Sequence, residues 1–295
     1  MAFALAFAVA DAARAEPAGQ GPDQPRHRPR WDRAWTHHGV WDYSLAGTSA
    51  LAVVVEGVVL QPIRPPLRWT APILFDADVR GALRASSAST RNTLEDVSWA
   101  LWGMQIAYPV LVDVPFAWAR GDHQLAVDLF WQDAATLTFA AAVDLGLRDL
   151  AGRARPRVYD CLSGGGTHCL DDVESTRSFP GGHIVNSTAA SVLACTQHLS
   201  MELYGGPWDA VACATTVASD VTLAVLRIVS DNHWATDQIA GMAIGGLIGW
   251  GVPYVMHLHG HARSSASGRD GPSVIAVPMP VPLDHGAGLQ VTGIF

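Results

Sequence analysis

The chain has 295 residues, 49% of them hydrophobic and 16% charged, and its formal net charge is -8 at pH 7. This length allows one large domain or two small ones. The acidic balance, without any basic run or stripe, argues against a nucleic-acid partner, and the scarcity of charge favours helices embedded in a membrane.

The first 44 residues predict a leader followed by a linker. Residues 2–10 form a short apolar run, and Ala13-Arg14-Ala15 follows in the pattern of a cleavage site. We therefore predict a signal peptide over residues 1–15. The positively charged start of such peptides is missing, and an ordinary hydrophobic N-terminus is the alternative. Residues 16–44 predict a linker, rich in Pro, Gly, Arg and Asp, that ends in an amphipathic segment.

Residues 45–260 predict a helical domain. Its apolar runs predict six helices, near 45–62, 95–118, 122–149, 183–204, 207–229 and 233–257. Most of them are long enough to cross a bilayer, but acids interrupt them: Glu56, Asp113, Asp128, Asp133, Asp144, Glu202, Asp209 and Asp220. Ionisable groups within a membrane usually face a bundle interior. The bundle therefore either spans a membrane with its acids inside, or is water-soluble or half-embedded with its acids on exposed faces.

The remainder, residues 261–295, differs in character from the helical domain. Two β-prone segments, 274–281 and 289–295, flank a glycine turn and predict a small C-terminal β-hairpin. We assign no chemistry to this tail. The predicted fold class is therefore all-α, a bundle of about six helices with a terminal hairpin.

Three stretches carry residues suited to chemistry, and the first runs from Arg148 to Pro156. It holds two cations seven residues apart, Arg148 and Arg155, and its proline ends the preceding helix. Asp144 lies one helical turn before Arg148, and we expect the two side chains to pair.

The second stretch is Pro180-Gly181-Gly182-His183, which delivers a histidine at the start of an apolar helical run. Backbone amides at such a turn and helix N-terminus bind anions well. The sequence therefore predicts an anion site beside His183.

The third stretch runs from Arg227 through His233 to Asp237. If a helix begins near His233, the four-residue spacing brings Asp237 within hydrogen-bond reach of the imidazole. That carboxylate would hold one ring nitrogen protonated and leave the other free to attack. The alternative is a helix-capping histidine with a solvated aspartate. Together, the three arginines, the amides and the two histidines of these stretches suit phosphoryl transfer.

These stretches resemble the motifs of the type-2 phosphatidic acid phosphatases, which share a superfamily with the vanadium haloperoxidases. The family motifs are Lys-x6-Arg-Pro, Pro-Ser-Gly-His and Ser-Arg-x5-His-x3-Asp. Here they are Arg148-x6-Arg155-Pro156, Pro180-Gly181-Gly182-His183 and Leu226-Arg227-x5-His233-x3-Asp237. Three positions depart from the pattern: Arg148 replaces Lys, Gly181 replaces Ser, and Leu226 replaces Ser.

The resemblance implies a role for each matched residue. His233 is the expected nucleophile, His183 the general acid and Asp237 the residue that orients the nucleophile. The expected phosphate-binding residues are Arg148, Arg155, Gly181, Gly182 and Arg227. The implied reaction is hydrolysis of a phosphate monoester or pyrophosphate of a lipid or other small phosphate ester. It proceeds through a phosphohistidine, without a metal or other cofactor, and vanadate acts as an inhibitor or phosphate mimic.

Two alternative functions remain open. A vanadate-dependent haloperoxidase would use the same cradle, with His233 coordinating vanadium. A non-catalytic anion-binding membrane protein is the other, because Gly181 removes a hydroxyl donor.

The expected location is the cell envelope. Cys161 and Cys169 lie eight residues apart in a glycine-rich loop and could close a disulfide in an exported protein. With the signal-like N-terminus, this predicts an inner-membrane protein whose active site faces the periplasm, or else a secreted or periplasmic one.

Overall fold

The structure is a computed structural model. It describes residues 29, 31–33, 35–60, 62–166 and 168–259, and the backbone of 275–283 and 286–294. The predicted signal peptide, 1–15, lies outside the described residues, and so does most of the predicted linker before Trp31.

Most of the described residues between Val40 and Leu258 are helical, which confirms the predicted all-α class for this part of the chain. Its helices are α1 (Val40–Val55), α2 (Asp76–Leu83), α3 (Ala88–Tyr108), α4 (Val114–Ala119), α5 (His123–Ala151), α6 (Pro156–Ser163), α7 (Gly182–Met201), α8 (Pro207–Val229) and α9 (Ala235–Pro253). Three π turns, Glu56–Leu60, Pro109–Asp113 and Tyr254–Leu258, extend α1, join α3 to α4 and extend α9, and Val173–Thr176 is a 3-10 turn. The six predicted runs correspond to α1, α3 with α4, α5, α7, α8 and α9.

The centre of the bundle is α7, which packs against α3, α5, α8 and α9. Its contact with α9 is close because Gly241, Gly245 and Gly249 recur every four residues along α9. A Cβ atom at Gly245 or Gly249 would overlap the backbone carbonyls of Val185 and Ala189. Such stripes of small residues let helix backbones approach each other. The two helices run parallel, so their N-terminal ends lie together.

The bundle places its acids inside and apolar side chains outside. Six of the acids that interrupt the predicted helices are buried: Asp113, Asp128, Asp133, Asp144, Asp209 and Asp220. The prediction of a bundle with acids on exposed faces is therefore wrong for these residues. Four helical stretches are long and apolar enough to cross a membrane: Val40–Leu60, Ala88–Ala119, Pro207–Val229 and Ala235–Leu258. Their outward faces carry many of the exposed large hydrophobic residues.

A buried polar cluster lies at the end of the bundle where α7 ends. The imidazole of His198 lies 2.7 Å from Asp209 and 3.4 Å from Asp113. Tyr204 and Tyr108 join this cluster through their hydroxyl groups, which lie 2.9 Å apart. The cluster ties α7 to α3 and α8 at the opposite end from the motif residues.

In the tail, the backbone of Ile275–Leu283 (β1) runs antiparallel to that of Gly286–Ile294 (β2). No side chain of either strand is described. The predicted C-terminal β-hairpin therefore stays a prediction, because the packing of its side chains is not described.

Candidate active site

The motif residues converge at one end of the bundle. They are Arg148 in the last turn of α5, Arg155 before α6, His183 in the first turn of α7, Arg227 in the last turn of α8, and His233 and Asp237 at the start of α9. All three guanidiniums act electrostatically on His183, and two of them act on His233. We call this cluster, with the amides of 181–183, the cradle.

His233 is held in one tautomer. Its Nδ1 lies 2.7 Å from the carbonyl oxygen of Ser178, and its Nε2 lies 3.4 Å from Nη2 of Arg227. Because a carbonyl only accepts, Nδ1 carries the proton and Nε2 keeps a lone pair. Burial, followed by the charges of Arg155 and Arg227, lowers the pKa of His233 well below its ordinary value. The residue is therefore neutral at pH 7 with one free nitrogen, which is the state a nucleophile needs.

Asp237 does not contact the imidazole, so the predicted hydrogen bond between them is wrong. Helix α9 begins at Ala235 rather than near His233, which puts Asp237 in the third helical position. There its carboxylate accepts the backbone N–H of Trp234 at 2.9 Å and the hydroxyl of Ser178 at 2.6 Å. Asp237 thus orients His233 indirectly, by fixing the residue whose carbonyl holds Nδ1.

Arg153 also holds Asp237 in place, and no motif in the sequence pointed to it. Its guanidinium pairs with Asp237 and lies 2.6 Å from Asp76, while its Cζ atom stacks 4.0 Å from the ring of Trp69. It lies between Arg148 and Arg155, among the residues that the first motif leaves unspecified. The motif therefore predicts no role for this third arginine. Its partners come from α2 and α9, so only the tertiary fold brings them together.

Each of the three arginines predicted to bind phosphate keeps part of its guanidinium group without a hydrogen bond. Arg227 donates to Ser98 at 3.1 Å, and its Nε has no hydrogen-bond partner. Arg155 donates to the backbone and side chain of Glu174, at 2.8 Å each. Arg148 has no partner for Nε, and its nearest acid, Asp149, lies 3.9 Å away. The cradle therefore keeps guanidinium N–H groups available to an anion.

His183 packs against two indole rings, with its ring centre 4.2 Å from that of Trp99 and 5.2 Å from that of Trp102. Its Nε2 is buried without a hydrogen-bond partner. Burial, followed by the charges of Arg227, Arg155 and Arg148, lowers the pKa of His183 well below its ordinary value. With these surroundings His183 is neutral, whereas the predicted general acid must carry a proton.

Both glycines of the second motif are required by the backbone or by space. Gly181 has φ of +83°, in the left-handed region that favours glycine. A Cβ atom on Gly182 would overlap the carboxylate of Asp144. The amides at this start of α7 have no partner within the helix, as at any helix N-terminus, which suits them to an anion.

Asp144 does not form the predicted ion pair with Arg148. No nitrogen of Arg148 lies within ion-pair distance of it among the described residues, and its Oδ1 has no hydrogen-bond partner. Its carboxylate packs against Gly182 instead. The sequence showed an acid one turn before a motif cation but not that it forms part of the cradle wall.

Two disulfides cross-link the described chain. Cys161 and Cys169 are bonded in the loop after α6, with a Cα–Cα distance of 5.7 Å. Cys195 and Cys213 join α7 to α8, with a Cα–Cα distance of 4.5 Å.

Within the part of the chain that the structure describes, no group of three or more His, Cys, Asp or Glu side chains could hold a metal ion. The positive charge of the cradle comes from its arginines.

Comparison with known proteins gives two matches. The model of the PAP2 superfamily matches residues 130–260, which contain all three motifs. A lipid A 1-phosphatase of Porphyromonas gingivalis is 39% identical over 80 residues. That alignment covers 26% of this chain and only 16% of the relative's length. No solved structure matches the chain.

Proposed function

Because residues 130–260 match the model of the PAP2 superfamily, we propose that the protein is a phosphatase that hydrolyses a lipid phosphate monoester or pyrophosphate through a phosphohistidine. The observation that carries this proposal is the state of His233. Its unprotonated Nε2 lies 3.4 Å from Nη2 of Arg227, in a cluster of three arginines, while its Nδ1 donates to a carbonyl.

The reaction follows from these positions. Nε2 of His233 attacks the phosphorus, forming a P–N bond as the P–O bond to the leaving group breaks. The guanidiniums and the amides of the cradle stabilise the charge on the equatorial oxygens. His183 donates a proton to the leaving oxygen. It then takes a proton from the water that attacks the phosphohistidine, which releases phosphate and restores His233.

The position of the cradle relative to the apolar helices favours a lipid-borne substrate. The four apolar stretches end beside it: Leu60 and Val229 are the last residues of two, and Ala88 and Ala235 the first of the others. If they cross a membrane, the cradle lies at its surface, where lipid phosphates are. The relative from P. gingivalis is named for activity on lipid A, which supports a lipid substrate. Disulfides form in oxidising compartments, so we propose that the cradle faces the periplasm.

The test uses detergent-purified protein with phosphatidate, a polyprenyl diphosphate and p-nitrophenyl phosphate. His233→Ala is expected to abolish phosphate release and to prevent trapping of the acid-labile phosphohistidine. His183→Ala is expected to slow release of a lipid alcohol far more than release of nitrophenolate, which needs little protonation. Activity is expected to persist in a chelator, because the proposed chemistry uses no metal.

The matched control is His123→Ala, at an exposed position at the far end of α5, which should retain wild-type rates. Near-wild-type activity of His233→Ala would refute the proposal. Loss of activity in the chelator would refute its metal-independent form.

A further inference from the structure

The wall of the cradle contains one ionisable group that the proposed reaction does not use. Asp144 is 3% exposed, and its Oδ1 has no hydrogen-bond partner. A buried polar atom without a partner is rare in native proteins and calls for a specific explanation. The neighbouring N–H of Arg148, at Nε, also lacks a partner.

The position of this carboxyl group ties it to the phosphate site. It packs so closely against Gly182 that no side chain fits there. The amides around Gly182 are those expected to bind the phosphate, so a bound phosphate and an ionised Asp144 would be two anions on either side of one turn. Two acidic groups this close together repel each other when both are ionised, and this repulsion raises the pKa of one of them.

The surrounding charges act on Asp144 from several elements. They are Arg148 and Asp149 on α5, Arg155 before α6 and Glu174 in the 3-10 turn. The other helices packed against α5 carry further titratable groups: His183 on α7, Asp237 on α9, and Asp42 on α1, which continues into a π turn with Glu56. Burial outweighs the attraction of Arg148 and raises the pKa of Asp144 to about 7.

We propose that Asp144 is a positioning residue that couples phosphate binding to proton uptake. As a carboxylate it weakens the attraction that the charges of Arg148 and Arg155 exert on the phosphate, and as a neutral acid it leaves that attraction undiminished. Binding therefore transfers one proton from solvent to Asp144. By linkage, the affinity for a phosphate-like anion falls as pH rises and Asp144 ionises. The inference rests on the proposed function only for the place where the phosphate binds.

The experiment measures the affinity for tungstate, a tetrahedral oxyanion with two charges throughout pH 6–9, by competition and by calorimetry. In the wild-type protein the affinity is expected to fall about tenfold per pH unit above pH 7 through this one proton. Asp144→Asn has no carboxyl group to protonate, so its affinity should lack this fall with pH. The variant should therefore bind tungstate more tightly than wild type at pH 8.5. Proton uptake by His183 occurs in both proteins and cancels in the comparison.

The matched control is Asp133→Asn, on the same helix and equally buried, about 16 Å away along α5. It should keep the wild-type pH dependence. Asp144→Ala, which also removes the carboxyl, should share the flattened profile and serves if the Asn variant folds poorly. Parallel profiles for wild type and Asp144→Asn, or no tungstate binding at all, would overturn the inference. Phosphohistidine trapping tests the proposed reaction separately, because it does not depend on this slope.

Discussion

The indirect hold of Asp237 on His233 can be tested by combining Ser178→Ala with Asp237→Asn. The hydroxyl of Ser178 donates to the carboxylate at 2.6 Å, and both side chains are buried. A hydrogen bond to a charged group contributes about 1.5–3 kcal/mol, so Ser178→Ala should lower the free energy of unfolding by that amount. Asp237→Asn also leaves the charge of Arg153 with Asp76 as its remaining acid, and breaking a buried pair costs about 3–5 kcal/mol.

The effect on catalysis follows from what the hydrogen bond positions. Without this hydrogen bond the carbonyl of Ser178 is less well fixed. We expect the activation free energy to rise by about 1.4 kcal/mol as a result, which lowers kcat about tenfold. Because both substitutions break the same bond, the double variant should have nearly the kcat of Asp237→Asn alone. The assay is kcat with p-nitrophenyl phosphate, alongside thermal unfolding in detergent.

A matched control separates positioning from stability. Ser187 is also fully buried on α7 and donates to a carboxylate, that of Asp220. Ser187→Ala should lower stability by a similar amount but leave kcat unchanged. Wild-type kcat in Ser178→Ala, with additive effects in the double variant, would show that Asp237 acts on His233 by another route.

Three further predictions concern other features of the chain. Gly181→Ser should lower kcat/KM about tenfold, because a side chain at φ of +83° costs about 1–2 kcal/mol; a rise would mean that the added hydroxyl outweighs the strain. Cys161 and Cys169 should resist thiol labelling until a reductant is added, in protein from its native compartment, and two free thiols there would contradict the proposed location. Burial lowers the pKa of His198, but hydrogen bonds to two carboxylates outweigh it and raise the pKa to about 9. Since this lies above the unfolded value near 6.5, about 3 kcal/mol of stability should be present below pH 6.5 and lost as pH rises through 9; unfolding of His198→Gln should lack this dependence.

Spacing within single segments was enough to predict the stretches that contain Arg148, His183 and His233, and the structure brings these three residues together. The predicted contact of Asp237 with His233 required both residues to share one face of a helix, whereas the helix begins at Ala235, after the histidine. A carboxylate in the third helical position commonly caps the helix N-terminus, and Asp237 does so here.

The residues that were missed depend on contacts between distant segments. Ser178 reaches Asp237 across 59 positions and Arg153 reaches it across 84. No local pattern encodes such pairs. The burial of the acids could not be predicted for the same reason. The sequence of an apolar helix contains the acid but does not indicate which neighbouring helix packs over it. Asp220, for instance, is held by hydroxyls of Ser187 and Thr188 on α7.

The charge of the cradle suggests how the substrate prepares its own reaction. Burial and the guanidiniums lower the pKa of both histidines, so both imidazoles are neutral. In the proposed reaction this suits His233, which attacks, but not His183, which donates a proton. A bound phosphate carries two negative charges that offset the arginines, and His183 then gains a proton at its partnerless Nε2. His233 keeps its Nε2 unprotonated, since that nitrogen lies 3.4 Å from Nη2 of Arg227, which has only hydrogen atoms to offer. One bound dianion would thus distinguish two histidines that the guanidiniums alone treat alike, and an ester with a single charge would do so less well.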